Sequence, residues 1–112
     1  MTNNNENRNE VLQEKLQEIK EQEGIIGYIL RGSKSASIDL KDPKKIIEYA
    51  MLSSTTFDVG KDISEELQMG DIEKILVESE NSKFLSTTMD DQHLTIFMEK
   101  NVNHNKIYKE LT

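Results

Sequence analysis

His93 and His104 are the only histidines of this chain, and there is no cysteine to join them. Zinc is held by a tetrahedral set of nitrogen and sulfur donors at characteristic spacings. Neither histidine has a partner at such a spacing, so no metal site is expected. His93 alternates with Thr95 and Phe97 and reads as a packed or partly exposed strand residue. Asp90-Asp91 offers two adjacent carboxylates, but it lies between two strand-like runs and reads as a hairpin turn. Arg31 is one of two arginines, the other being Arg8. An arginine can stabilise charge developing on a phosphate during GTP hydrolysis, yet at the end of a strand the simpler role is closing a hairpin. Glu14, Glu18, Glu21 and Glu23 share a helix with Lys15 and Lys20, an ordinary solvated face. Gly24, Gly27, Gly32, Gly60 and Gly70 are too dispersed to cradle a phosphate, and no nucleophile elbow is present. The chain is therefore expected to be no enzyme and to hold no cofactor. Its function has to lie in its surfaces.

Composition narrows those surfaces. The 112 residues fit one domain, with net charge −7. A chain of this size buries roughly two-thirds of its unfolded surface, enough for one core. An acidic protein lacks the basic face that nucleic acid or anionic lipid demands, so no nucleic-acid partner is expected. No run approaches the roughly 18 apolar residues of a membrane span, so no membrane insertion is expected. The start, Met1 to Asn9, has no basic region followed by an apolar one and is not a signal peptide. Residues 1–8 are expected to be a disordered polar tail ahead of a single domain over 9–112, and the location to be cytoplasmic.

Periodicity supplies the elements. Leu12, Leu16 and Ile19 mark a narrow helical stripe over Glu10–Gln22, with Gly24 placed for a left-handed cap. Ile25–Arg31 is apolar at odd and even positions alike. Gly32-Ser-Lys-Ser signals a turn, and Ala36, Ile38 and Leu40 then alternate with polar residues. Asp42-Pro43 is a helix start, and helical patterning continues to about Leu67. Ile46, Tyr49, Ala50, Ser53, Phe57, Gly60, Ile63 and Leu67 form the arc expected to lie on a sheet. Gly60 either permits close approach to that sheet or marks a bend. Three strand-like runs follow, Ile72–Ser79, Lys83–Met89 and Gln92–Glu99, with links short enough to imply antiparallel neighbours. Asn103 is placed to cap a last helix carrying Ile107, Tyr108 and Leu111. The first and last strands are apolar on both faces and should be central. The expected fold is an α/β (α+β) sandwich: a five-stranded antiparallel sheet, order 2-1-5-4-3, with a long helix on one face and two short helices on the other.

This succession resembles the Roadblock family of dynein-light-chain-like proteins. The resemblance spans about residues 9 to 112. It rests on Glu23-Gly-Ile-Ile-Gly-Tyr-Ile-Leu30, the long helix from Pro43, Glu73-Lys-Ile-Leu-Val-Glu-Ser-Glu80, Lys83-Phe-Leu-Ser and Leu94-Thr-Ile-Phe. The family often carries alanines in the long helix where this chain has Ser53-Ser-Thr-Thr56. The resemblance implies a homodimer in which two sheets join edge to edge and the long helices lie side by side. It implies a scaffold or regulator of a small Ras-like GTPase, or a motor-associated adaptor.

Candidate interface residues follow. In the expected edge strand, Ile75 and Val77 face one side and Ile72 and Leu76 the other, with Lys74 and Glu78 between. An edge this apolar is a liability unless a second copy pairs with it. Ile47 and Met51, one turn apart and off the sheet-facing arc, are expected with Ser54 and Thr55 to meet the partner's long helix. Asp58, Asp62, Glu65 and Glu66 form an acidic face that could steer a basic GTPase surface. Two alternatives stand beside this. A PAS-like or profilin-like sensor would need a cavity between helix and sheet, where Phe57, Phe84 and Phe97 look like filling. A longin-type trafficking domain commonly starts directly with its first strand.

Overall fold

The computed structural model describes residues 4–112 apart from Lys34 and Asp90, with side chains from Glu10 onward. In chain order the elements are α1 (Asn4–Glu21), β1 (Ile25–Arg31), β2 (Ala36–Leu40), a 3-10 turn (Pro43–Lys45), α2 (Ile46–Glu66), β3 (Lys74–Glu78), β4 (Ser82–Met89), β5 (Gln92–Glu99) and α3 (His104–Leu111). The strands form one antiparallel sheet in the order β2-β1-β5-β4-β3, as the apolar patterning predicts. The two doubly covered strands, β1 and β5, pair at its centre from Ile25 opposite Met98 to Arg31 opposite His93.

Local chemistry sets the element ends. Gly24 takes φ +86°, the left-handed conformation that lets the chain leave α1 and enter β1 at once. The Asp42 carboxylate accepts from the Lys44 backbone N–H at 3.1 Å, and Pro43 follows in the position where its missing donor costs nothing. The Asn103 side chain accepts from Asn105 and Lys106 at 3.1 and 3.2 Å and so starts α3. Three expectations need correction. Residues 4–8, read as polar tail, are helical, so α1 spans 18 residues rather than being a short helix; Met1, Thr2 and Asn3 lie outside the described residues. The final third of α2 turns Ser64, not Ile63 or Leu67, toward the sheet side, because the Ser64 hydroxyl donates to the Gly70 carbonyl. Ile72 precedes β3 and lies with Ile75 beside Gly60, instead of facing the other way with Leu76.

The two faces of the sheet are built differently. Against α1 and α3 the core is mainly aliphatic: Leu12, Leu16, Ile19, Ile25, Leu30, Leu85, Leu94, Ile96, Met98, Ile107 and Leu111 are buried together with Tyr28. Burial of such side chains is worth about 1.5–3 kcal/mol each. Against α2 the buried apolar cluster among the described residues is Ile29, Leu40 and Phe97, flanked by Ile26, Ile46, Tyr49, Ala50 and Phe84. Tyr49 stacks on Phe97 at 4.5 Å and Phe84 tilts against it at 5.4 Å. Beyond this aromatic wedge hydroxyls take over. Ser53 Oγ and Thr95 Oγ1 are 2.6 Å apart, and Thr95 Oγ1 and Ser86 Oγ 2.9 Å apart. Among the described residues no buried side-chain polar atom lacks a partner, so this face costs nothing in lost hydrogen bonds but gains little from burial.

Candidate functional site

The polar contacts continue toward the turn end of the β4–β5 hairpin, where Thr88 pairs with His93. Arg31 at the end of β1 donates from Nη1 to Ser54 Oγ at 2.7 Å, and its Nη2 lies 3.2 Å from His93 Nδ1. Arginine has donors only, so His93 must present an unprotonated Nδ1 and carry its hydrogen on Nε2. The ring stacks on Phe57 at 3.7 Å. Burial, reinforced by the Arg31 charge and opposed by Asp58, holds the His93 pKa below the usual histidine range. Arg31 thus ties α2 to the sheet, and its charge is committed inside the molecule rather than aimed at a partner. Beside it, Phe57, Asp58, Lys61, Ser64, Asp71, Thr88 and His93 help line an open depression of about 380 Å³. His104 is the second histidine, and it lies 3.0 Å from Lys83 Nζ through Nδ1. The two histidines thus have different neighbours, and among the described residues no cluster of three histidine, aspartate or glutamate side chains suits a metal.

The apolar side chains left outside are the more informative set. Residues three or four apart share a helix face. Ile47, Met51 and Ser54 lie on the flank of α2 turned toward β1 and β2, as the Arg31–Ser54 bond fixes. Ile47 is 74 % and Met51 66 % exposed, and Thr55 stands on the outer ridge. Leu52, Val59 and Ile63 occupy the opposite flank. That flank overhangs β3: a side-chain carbon on Gly60 would meet Ile75 Cδ1 at 2.5 Å, and Ile63 shares a depression with Ile72 and Ile75. Gly60 therefore serves close approach. Leu52, Val59 and Ile63 are each more than half exposed, and Leu67 and Met69 extend the patch. Sequence reasoning placed the first two of these nowhere and the third against the sheet. Their helical spacing with Thr56 was the available signal. Asp58, Asp62, Glu65 and Glu66 are all exposed.

β3 is an edge strand, and its register decides which backbone groups are free. Ser79 N–H donates to the Ser82 carbonyl at 2.9 Å, so positions 75, 77 and 79 address β4. The N–H and C=O groups of Lys74, Leu76 and Glu78 point away from the sheet. Leu76 and Val77 are both partly open, at 37 % and 38 %. Lys74 Nζ also sits over the Tyr108 ring at 4.5 Å, and Lys83 lies 3.9 Å from Glu78. Edge backbone, apolar side chains and apolar helix flank thus meet along one side of the molecule.

No protein-family model and no curated protein sequence matches the chain. Solved structures do. A Roadblock/LC7 domain from Streptomyces avermitilis superposes with a TM-score of 0.70 at 14 % identity, over 88 % of this chain and 83 % of that one. MglC from Myxococcus xanthus superposes with a TM-score of 0.50 at 17 % identity, over 89 % of each chain. At such identities the likeness is one of architecture, and it agrees with the element order and the 2-1-5-4-3 sheet. The fold of this chain is the Roadblock fold.

Proposed function

We propose that the chain is a non-enzymatic homodimeric scaffold or regulator that binds a small Ras-like GTPase or a related assembly. The supporting observation is the side of the molecule where the β3 edge meets Leu52, Val59 and Ile63. Antiparallel pairing of two β3 strands about an axis at Leu76 places Lys74 of each copy opposite Glu78 of the other, a complementary cross-strand match. The same operation brings the two α2 helices together through their β3-side flanks. The expected helix contact accordingly moves from Ile47, Met51, Ser54 and Thr55 to Leu52, Val59 and Ile63, while the strand contact keeps Ile72, Lys74, Ile75, Leu76, Val77 and Glu78. The GTPase role comes from the Roadblock resemblance, and the exposed Asp58, Asp62 and Glu65 favour a basic partner surface. A partner bound this way shifts a nucleotide switch only by its differential affinity for the two states.

The sensor alternative has less support, since Tyr49, Phe84 and Phe97 fill the space between α2 and the middle of the sheet. The longin alternative meets a full helix ahead of β1. Pull-down of small GTPases loaded with GDP or a GTP analogue tests the proposal. It expects recovery that depends on the nucleotide. Recovery of none, or equal recovery in both states, counts against regulation.

A further inference from the structure

The other edge of the sheet, β2, differs from β3 in the charges it presents to a partner. Gly32 N–H donates to the Ser35 carbonyl at 2.8 Å and Lys41 N–H to the Ile26 carbonyl at 3.0 Å, so positions 35, 37, 39 and 41 address β1. The backbone donors and acceptors of Ala36, Ile38 and Leu40 face outward. On the α1 side this edge is closed. Gln13 reaches Ser37 at 3.4 Å, Gln17 reaches Asp39 at 3.3 Å, and Lys20 is ion-paired with Asp39. On the α2 side it is open and apolar. Ala36 and Ile38 are exposed there, beneath the flank carrying Ile47 and Met51.

Charge identifies the occupant. In a chain of net charge −7, the segment from Arg31 to Lys45 holds five basic residues against two acidic ones. Lys41, Lys44 and Lys45 are exposed at one end of β2, whereas Arg31, opposite Ala36 on β1, is turned to Ser54 and His93. A second copy paired about a two-fold axis at Ile38 would set Lys41 of each strand opposite Ser35 of the other and Asp39 opposite Ser37, so no ion pair forms. Two copies thus gain no charge match there, whereas a strand with an acidic end meets Lys41, Lys44 and Lys45. We infer that the β2 edge takes an extended segment of a different protein, with alternate apolar residues and an acidic end beside Lys41, Lys44 and Lys45, which adds a sixth strand beside β2 and seats its side chains against Ile38, Ile47 and Met51. Main-chain pairing supplies the affinity of such an addition and alternate side-chain seats supply its selectivity. The inference does not depend on pairing at β3.

Selection from a displayed library of random peptides of about 12 residues, enough for a strand of about six with flanks, tests it on the full chain. The variant Ile38→Pro removes an outward N–H while leaving the β1 ladder intact, because position 38 makes no bond to β1. The variant Ile47→Asp alters a side chain that is 74 % exposed and guards against misfolding of the first. The expected result is enrichment of peptides with alternate apolar residues and an acidic end. Their retention should fall about tenfold on either variant and weaken with added salt. No enrichment, enrichment of basic or helix-spaced sequences, or retention on both variants equal to that on the unmodified chain would overturn it. A self-associated form of the free chain that Ile38→Pro dissolves would overturn it as well.

Discussion

One sheet, two edges: β2 and β3 expose the same number of outward main-chain positions, yet a symmetric copy would find a charge match at β3 and none at β2. At β3 the two-fold operation matches Lys74 with Glu78 around Leu76, and an apolar helix flank waits above. At β2 the same operation about Ile38 sets Lys41 opposite Ser35 and Asp39 opposite Ser37, with no complementary charge, and the helix flank above carries Ile47 and Met51. An edge strand is a liability on any protein. The difference teaches that edge exposure alone does not say what pairs there. The charges at the two ends of the strand, read under the symmetry operator, do.

Substitutions break or sharpen that contrast to different degrees. Leu76→Pro removes an outward donor without touching the β4 ladder, and it should raise the dimer dissociation constant on the order of 100-fold, measured by sedimentation, whereas Ile38→Pro should leave it unchanged. Val59→Glu with Ile63→Glu puts charge into the proposed helix seam and should weaken self-association on the order of tenfold. The matching change on the other flank, Ile47→Glu, should not. Lys74→Glu makes two like-charge oppositions and should weaken pairing roughly three- to tenfold, with Glu78→Lys added on the same chain restoring it. A chain in which the double exchange fails to rescue would contradict the register centred on Leu76.

The smallest effect concerns α2 itself. His93 has a folded-state pKa below its unfolded value, chiefly through burial and then Arg31. The folded state therefore binds fewer protons, and stability is complete above the unfolded value near pH 6.5 and declines as pH falls through the folded pKa. Thermal midpoints between pH 7 and pH 5 should drop modestly for the unmodified chain. They should drop less for His93→Gln, which keeps an acceptor for Arg31 but does not titrate.

Much of this fold was readable from pattern. Strand order followed from the doubly apolar β1 and β5, and Asp42-Pro43 and Asn103 announced their helices. What could not be read depends on contacts between distant residues or on the absence of an apolar mark. The first turn of α1 is rich in asparagine and has no stripe to declare it helical. The Ser53–Thr95–Ser86 bonds look, in sequence, like hydroxyls of any surface. Arg31 and His93 are separated by 62 residues, and only the β1–β5 register brings them together. Ile47 and Met51 stand out in sequence off the sheet-facing arc, whereas Ile63 falls inside that arc on an ideal wheel and yet is more than half exposed. The Ser64–Gly70 bond, which turns the end of α2, has no signature in the sequence.

Amide hydrogen exchange on the unmodified chain, run at concentrations that span its association, separates the two edges in one experiment. Pairing at β3 predicts protection of the Lys74, Leu76 and Glu78 amides that grows with concentration, together with a mass twice 12.9 kDa, while the Ile38 and Leu40 amides exchange freely. A 12.9 kDa species at all concentrations, or concentration-dependent protection at Ile38 and Leu40 with Leu76 left open, would contradict it.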